Sequence, residues 1–279
     1  MIVQITMIRD ELFLLKEMMP HWQKYADAFV FMDDRSTDGT YEYLMENKEK
    51  FNIISVLRSE IDESNGNTQI ESNIRQRLYD EALKHSGSIL CLDADEYLDG
   101  TLEKTQLELI LDNNKDTIFY LQWIQYTEKN QIRVDGAWKL NYKDRVGSYS
   151  TRAIFSPAQM HSEHIPNPGK QAIIPIPNLF IAHLQWMDKK TVAVKQYFWK
   201  ITDYVVNKKF GTKTIPVTAY DDSVADFKWE YATFDFPLKI RYDVYCDQDI
   251  ESSFKYKFIK DSIKEHNIPN LNDWGMGIH

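Results

Sequence analysis

The run Ile89-Leu90-Cys91-Leu92 passes directly into Asp93-Ala94-Asp95-Glu96. A short apolar run bounded by polar residues predicts a strand buried on both faces, which restricts the chain to a sheet covered on both sides. In an extended chain residues i and i+2 point the same way. Asp93 and Asp95 are therefore expected to present two carboxylates together where the strand leaves the sheet. Ligands of open α/β sheets bind at that end. Paired carboxylates repel unless a proton or a cation lies between them, and a hard divalent cation holding a phosphate is the usual solution.

Duller readings compete. Acids after a strand also make a solvated turn. A calcium loop of the EF-hand type would need an acid or Asn and then Gly where Tyr97 and Leu98 stand. An aspartyl phosphatase of the dehalogenase type would want a small β-branched residue at Tyr97.

The stretch before it alternates strand and helix. Residues 2–8 read as a first strand, and Asp10 as the N-cap of a helix carrying Leu12, Leu15, Met18 and Met19, ended or kinked by Pro20. Residues 28–32 read as a second strand, followed by Asp33-Asp34-Arg35-Ser36-Thr37-Asp38-Gly39-Thr40 and a helix with Tyr41, Leu44 and Met45. Residues 51–57 read as a third strand, and the spacing of Ile70, Ile74, Leu78 and Ala82 predicts a helix over 69–85. This order implies a mainly parallel sheet with right-handed crossovers, placing Asp34, Asp93 and Asp95 on one edge. Asp, Ser, Thr and Gly at 33–40 also suit any strand-to-helix turn. Calcium is rejected there, because Met45 stands where a bidentate Glu is needed.

The chain has 279 residues, enough for one large domain or one domain with an extension, and 43% are hydrophobic. The net charge of −9 provides no footprint for nucleic acid. The two cysteines, Cys91 and Cys246, suggest no disulfide framework, and the N-terminus lacks signal-peptide flanks. A reducing, cytoplasmic location is expected, and no run approaches the ~18 apolar residues of a membrane helix.

The first strand with Arg9-Asp10-Glu11, then Asp-Asp-x-Ser-Thr-Asp-Gly-Thr, then Leu-Asp-Ala-Asp-Glu resembles the nucleotide-sugar-binding half of family 2-like glycosyltransferases with a GT-A fold, over roughly residues 1–100. The resemblance implies a Rossmann-like, mixed but mainly parallel sheet flanked by helices. It implies a nucleotide-diphospho-sugar donor, UDP- in the first instance, a carbohydrate or glycan acceptor, and Mn2+ or Mg2+. It places Thr6 and Met7 at the nucleobase, Asp34 on base or ribose, and Asp95 on the metal. Asp93 goes to the ribose, or to the metal through water, and Glu96 supports them. Arg75 stands where an arginine faces the diphosphate; an i,i+4 pair with Glu71 explains it equally well.

Residues 117–155 alternate as antiparallel strands do, and Trp123, Trp138 and Tyr142 are candidates to stack on sugar rings, or core aromatics. His161-Ser162-Glu163-His164 has the spacing of a transition-metal pair but no supporting signature, so a polar loop near the acceptor is the alternative. Glu163 is a candidate general base, with Asp144 and Asp135 as rivals. The Glu-Asp pair that supplies the base in many inverting relatives is not visible, which leaves the stereochemical outcome open. His183, on the run 179–184, is either a satisfied core histidine or, by family logic, the third metal ligand with Asp93 and Asp95. Lys189, Lys190, Lys195 and Lys200 on the next helix face phosphate or solvent.

We expect a core over 1–186, divided into a donor half at 1–100 and an acceptor half at 101–186, and a helical C-terminal extension over 187–279. Loops are expected at Asp221-Asp222-Ser223 and Ile268-Pro269-Asn270. The expected activity is metal-dependent sugar transfer to an acceptor hydroxyl. A sugar-phosphate nucleotidyltransferase is the first alternative, although Thr6–Glu11 lacks the glycine of a phosphate loop. A non-catalytic nucleotide- or carbohydrate-binding module is the second.

Overall fold

Ile2–Ile8 forms β1, buried along nearly its whole length. α1 (Leu12–Trp22) lays Leu14, Leu15, Met18, Met19 and Trp22 inward. It starts one residue later than expected: Glu11, not Asp10, is its N-cap, and Asp10 sits at φ 52° with its carboxylate turned to Thr37. Pro20 does not end the helix, which runs on to Trp22, with Gln23 N bonded to Met19 O at 3.1 Å. β2 (Ala28–Asp33) is fully buried. Then come α2 (Thr40–Glu46), the single turn α3 (Lys48–Phe51), β3 (Ile53–Arg58), α4 (Glu71–Leu83) and β4 (Ser88–Cys91). The structure, a computed structural model, describes residues 1–59, 71–139, 141–157, 162–167, 172–210, 229–241 and 243–266. His161 and the loops expected at 221–223 and 268–270 lie outside the described residues.

β3, β2, β1 and β4 lie side by side and all run parallel. Alternate residues of β1 and β2 point to opposite faces. Ile2, Ile8, Phe29 and Phe31 pack with α1, and Val3, Ile5, Ala28, Val30 and Met32 pack with Ile74, Leu78 and Ala82 of α4. These central strands therefore consist of apolar runs rather than alternating ones.

Beyond β4 the sheet becomes mixed. β5 (Glu96–Gly100) and α5 (Lys104–Asn113) follow, then β6 (Thr117–Glu128), β7 (Gln131–Arg133), β8 (Asn141–Ser148) and β9 (Ala172–His183). β8 runs antiparallel between β4 and β6, while β9 runs parallel to β6 and antiparallel to β5. The architecture is the expected one, a mixed, mainly parallel sheet flanked by helices. β5 and α5 were not legible beforehand. Glu96 and Asp99 gave β5 the look of a turn, yet both are buried because Arg145 and Lys239 neutralise them.

α6 (Lys189–Phe210) and α7 (Phe254–His266) pack on each other, with Val192, Tyr197, Ile201 and Ile259 around Trp186 and Trp229. Between them, β10 (Tyr231–Thr233) joins the sheet against β7.

Candidate functional site

The turns that leave β1 and β2 cap each other. Asp10 N donates to Ser36 Oγ (2.9 Å), Glu11 N to Thr40 Oγ1 (3.2 Å) and Leu12 N to Asp38 Oδ2 (3.0 Å), while Thr37 N donates to the Asp10 carboxylate (2.6 Å). The Asp, Ser and Thr residues of 33–40 thus satisfy the orphan donors where α1 and α2 start. Asp34, next to this knot, is partly open. It accepts from Arg9 Nη1 (3.2 Å), Arg35 Nε (2.9 Å) and Ser59 Oγ.

Asp93 and Asp95 do not point the same way. β4 ends at Cys91, and a tight turn with Glu96 N on Asp93 O at 3.1 Å carries the chain into β5. The i,i+2 rule holds for extended backbone only, so the turn sends the two side chains into different surroundings.

Asp93 lies among cations. Its Oδ2 accepts from Arg145 Nη2 at 3.2 Å and lies 3.3 Å from His164 Nε2; Arg75 Nη2 is 3.9 Å from Oδ1. Partial burial opposes ionisation of Asp93, but His164, Arg145 and Arg75 outweigh it and hold the carboxyl well below its usual range. Burial, with Arg145 and Arg75, pushes His164 well below an ordinary imidazole, against the opposite pull of Asp93. Arg75 makes the i,i+4 pair, Nε donating to Glu71 at 2.9 Å, and the far side of its guanidinium faces Asp93. Glu96, fully buried, is held by Arg145 through two bonds (2.9 and 2.6 Å), by Trp123 Nε1 (2.7 Å) and by Asp93 N (3.1 Å). Burial pushes the neighbouring Cys91 thiol up to about 12.

Asp95 meets a different set. β9 returns to the sheet edge as expected and pairs His183 with Glu96. This brings His183 Nε2 to 3.5 Å from Asp95 Oδ2. On the other side of the ring, Nδ1 lies 2.5 Å from Gln125 Oε1, which also accepts from Trp186 Nε1 at 2.7 Å. An indole N–H only donates, so the atom facing it is the amide oxygen, and His183 Nδ1 must be a donor to it. Nε2 then faces a carboxylate oxygen, and a proton on Nε2 or a cation between the two satisfies the pair. Lys195 Nζ of α6 supplies one positive charge, 2.7 Å from the same Oδ2. Burial opposes ionisation of Asp95, and Lys195 and then His183 drive its carboxyl far below the usual range. Glu11, bonded to Lys255 Nζ of α7 at 2.8 Å, is raised by burial against the pull of Lys255.

The expected three-ligand set is therefore corrected. Asp95 and His183 come together, while Asp93 is turned to Arg145, Arg75 and His164. Among the described residues no group of three or more His, Cys, Asp and Glu side chains is gathered to hold a metal. An imidazole nitrogen and a carboxylate oxygen still suit Mn2+ as two of several ligands.

Other expectations shift as well. Thr6 is 1% exposed and its hydroxyl accepts from Gln4 Nε2 at 3.2 Å, so its side chain is closed to a base; Met7 packs partly buried against the core. Glu163 accepts from Ser156 N (2.8 Å) and Asp144 from His164 N (3.2 Å), so both anchor the loop that carries His164. Asp135 is taken by a bidentate Arg133. Trp123 is buried, stacked on His183 with ring centres 4.5 Å apart, and Trp138 packs on Trp123 and Trp186; Tyr142 alone of the three is exposed. Of the four lysines, Lys195 reaches the site, Lys190 pairs with Glu251, and Lys200 is buried.

Sequence reasoning missed Arg145, His164 as a site residue, Gln125 and Lys255. Arg145 is the last of three charged residues, Lys143-Asp144-Arg145, and nothing local sets it apart; His164 carried only the spacing of a transition-metal pair, and nothing local marks Gln125 or Lys255.

No protein family model matches this chain, and no curated protein sequence matches it. Among solved structures it is similar to S. aureus TarS, at 12% identity and a TM-score of 0.40, over 81% of this chain and 42% of TarS. It is similar to the mannosyltransferase Ktr4p from S. cerevisiae at 9% identity and a TM-score of 0.28, over 46% of this chain and 40% of that one. A nucleoside-diphosphate-sugar pyrophosphorylase from Vibrio cholerae aligns at 10% identity and a TM-score of 0.32, over 82% of this chain and 89% of that one. The chain spans less than half the length of TarS, and likenesses this distant carry no weight in assigning an activity.

Proposed function

We propose that this chain is a glycosyltransferase that moves a sugar from a nucleotide-diphospho-sugar, UDP- in the first instance, to a hydroxyl of a carbohydrate acceptor, using Mn2+ or Mg2+. One observation carries the reading: the Asp95–His183 pair at the carboxyl edge of the parallel sheet, an imidazole nitrogen and a carboxylate oxygen 3.5 Å apart beside a lysine. Asp95 and His183 would hold the cation, the donor's phosphate oxygens completing its shell. Bound there, it would neutralise charge on the departing diphosphate.

The chain's own groups do the rest. Asp34, partly open between Arg9 and Arg35, accepts hydrogen bonds from the ribose or base. Lys195, which holds Asp95 Oδ2 at 2.7 Å, would donate to a phosphate oxygen of the bound donor. Gln125 and Trp123 hold the His183 ring so that Nε2 keeps its aim. Asp93, pinned by Arg145, shapes the turn that presents Asp95. Glu163 and Asp144, each accepting one backbone N–H in the loop that carries His164, are the candidates to take the proton of the acceptor hydroxyl.

Thermal-shift measurements with UDP, GDP and dTDP, with and without Mn2+, test the reading. A metal-dependent rise in melting temperature with one of the three supports it. In His183→Ala the Mn2+ concentration for half the shift should rise at least ~10-fold, as when a ligand is lost. An unaltered metal titration would remove His183 from the site.

A further inference from the structure

A buried indole N–H has to find an acceptor. Trp186 is 1% exposed, and its Nε1 donates to Gln125 Oε1 at 2.7 Å. That oxygen is also the partner of His183 Nδ1, at 2.5 Å. The amide nitrogen of Gln125 turns the other way, toward Trp123 O at 3.5 Å. One amide oxygen thus serves two ring nitrogens, and only one of them has a choice of role. The indole nitrogen always donates, whereas an imidazole nitrogen donates or accepts.

The consequence reaches the far side of the His183 ring, where Nε2 lies 3.5 Å from Asp95 Oδ2. With the Gln125 amide turned over, its NH2 group would donate to Nδ1. The proton of the neutral ring would then sit on Nε2 and be donated to Asp95. That arrangement satisfies Asp95 but closes Nε2 to a cation. It also sets the Trp186 N–H against an NH2 group, a buried donor without an acceptor. The indole therefore decides which end of the amide His183 meets.

Trp186 is itself held. The Arg133 guanidinium lies 4.4 Å from its ring centre, and Trp138 and Trp229 meet it edge to face, 4.6 and 5.2 Å between ring centres. Arg133 is 2% exposed, and Asp135 fixes it through Nε (2.7 Å) and Nη2 (2.6 Å). Asp135 also accepts from Glu230 N at 3.2 Å, which ties the clamp to the segment that carries Trp229.

We propose that Trp186 is a positioning residue: its N–H, clamped by Arg133 and Trp229, fixes the Gln125 amide and with it the tautomer of His183, so that Nε2 stays open toward Asp95. The inference rests on the proposed function only for the use of Nε2 as a metal ligand. The tautomer is a property of the metal-free chain.

Long-range proton–nitrogen NMR of the histidine-labelled full-length chain reads the tautomer, without metal and at about pH 9, above the ordinary imidazole range. His183→Asn identifies the His183 signals by their loss. The wild type should carry its proton on Nδ1 and none on Nε2. Trp186→Phe keeps an aromatic ring beside Arg133 and removes the N–H, so the tautomer ratio should move about 10-fold or more toward Nε2–H. Gln125→Leu cuts the same relay while keeping the indole and should move the ratio the same way. Trp138→Phe disturbs the same aromatic cluster without touching the Gln125 bonds and should leave the ratio as in the wild type.

A proton on Nε2 in the wild type overturns the proposal. So does an unchanged ratio in Trp186→Phe or Gln125→Leu, or a shift in Trp138→Phe as large as that in Trp186→Phe, which would make the effect one of packing. Mn2+ binding by the wild type, followed by electron paramagnetic resonance alone and with UDP, GDP or dTDP, separates the two ideas. The Nδ1–H tautomer without Mn2+ binding sinks the proposed cation site and leaves the positioning role standing. Mn2+ binding with a tautomer indifferent to Trp186 sinks the positioning role alone.

Discussion

Replacing Arg145 by Met should unfold the protein far more readily than removal of any one surface charge. The guanidinium is 2% exposed and makes two bonds to Glu96, which is 0% exposed, and one to Asp93. Met keeps most of the stem volume, so the cavity left behind is small. What remains is a buried Glu96 carboxylate with only Trp123 Nε1 and Asp93 N as donors. Stranding one partner of a buried pair costs about 3–5 kcal/mol. For a chain of this size that amounts to a fall of about 10 °C in melting temperature. The double variant Glu96→Gln/Arg145→Met removes both charges and leaves an amide oxygen for Trp123, so it should recover at least half of the loss. Urea denaturation followed by tryptophan fluorescence, on the wild type, both single variants and the double variant, measures the coupling directly. A loss below about 1 kcal/mol for Arg145→Met, or a double variant no better than the single, would refute the claim that this pair sustains the turn beneath the site.

Two further outcomes follow from the same geometry. Asp34→Ala should raise the KM for the nucleotide donor and leave kcat nearly unchanged, because its hydrogen bond is equal in ground and transition states; steady-state kinetics showing the reverse split would contradict the role. Stability should fall as pH drops, in two stages. His164 has a folded pKa below its unfolded value of about 6.5, so the unfolded chain binds more protons below that pH and stability is lost first there. Asp93 and Asp95, also depressed, add a second loss below about pH 4. Urea midpoints between pH 8 and 3 check this, and His164→Gln should shrink the upper stage, to which His21, lowered by burial, also contributes.

The parallel half of the fold was legible because its strands are unbroken apolar runs, a pattern that burial on both faces imposes locally. The strand that returns His183 was legible for the same reason. The split between Asp93 and Asp95 was not, since it depends on one turn at 93–96 that the alternating acids concealed. The site's cations were not legible either. Lys195 lies 100 residues from the Asp95 it pairs with, and Lys255 lies 244 from Glu11. Nothing in the local pattern of a solvated helix face distinguishes a lysine that folds back into a site. Gln125 and Arg145 were hidden in strands, where a polar side chain looks like an outward position until its partner is known.

The central claim is that Asp95 and His183 mark the place where a nucleotide-sugar is cleaved. Its most direct test is release of nucleoside diphosphate from a panel of UDP-, GDP- and dTDP-sugars, with Mn2+, by the wild type and by Asp95→Asn. The account predicts turnover of at least one donor by the wild type and its loss in Asp95→Asn, with the variant still folded; full activity in Asp95→Asn, or no turnover of any donor by the wild type, would contradict it.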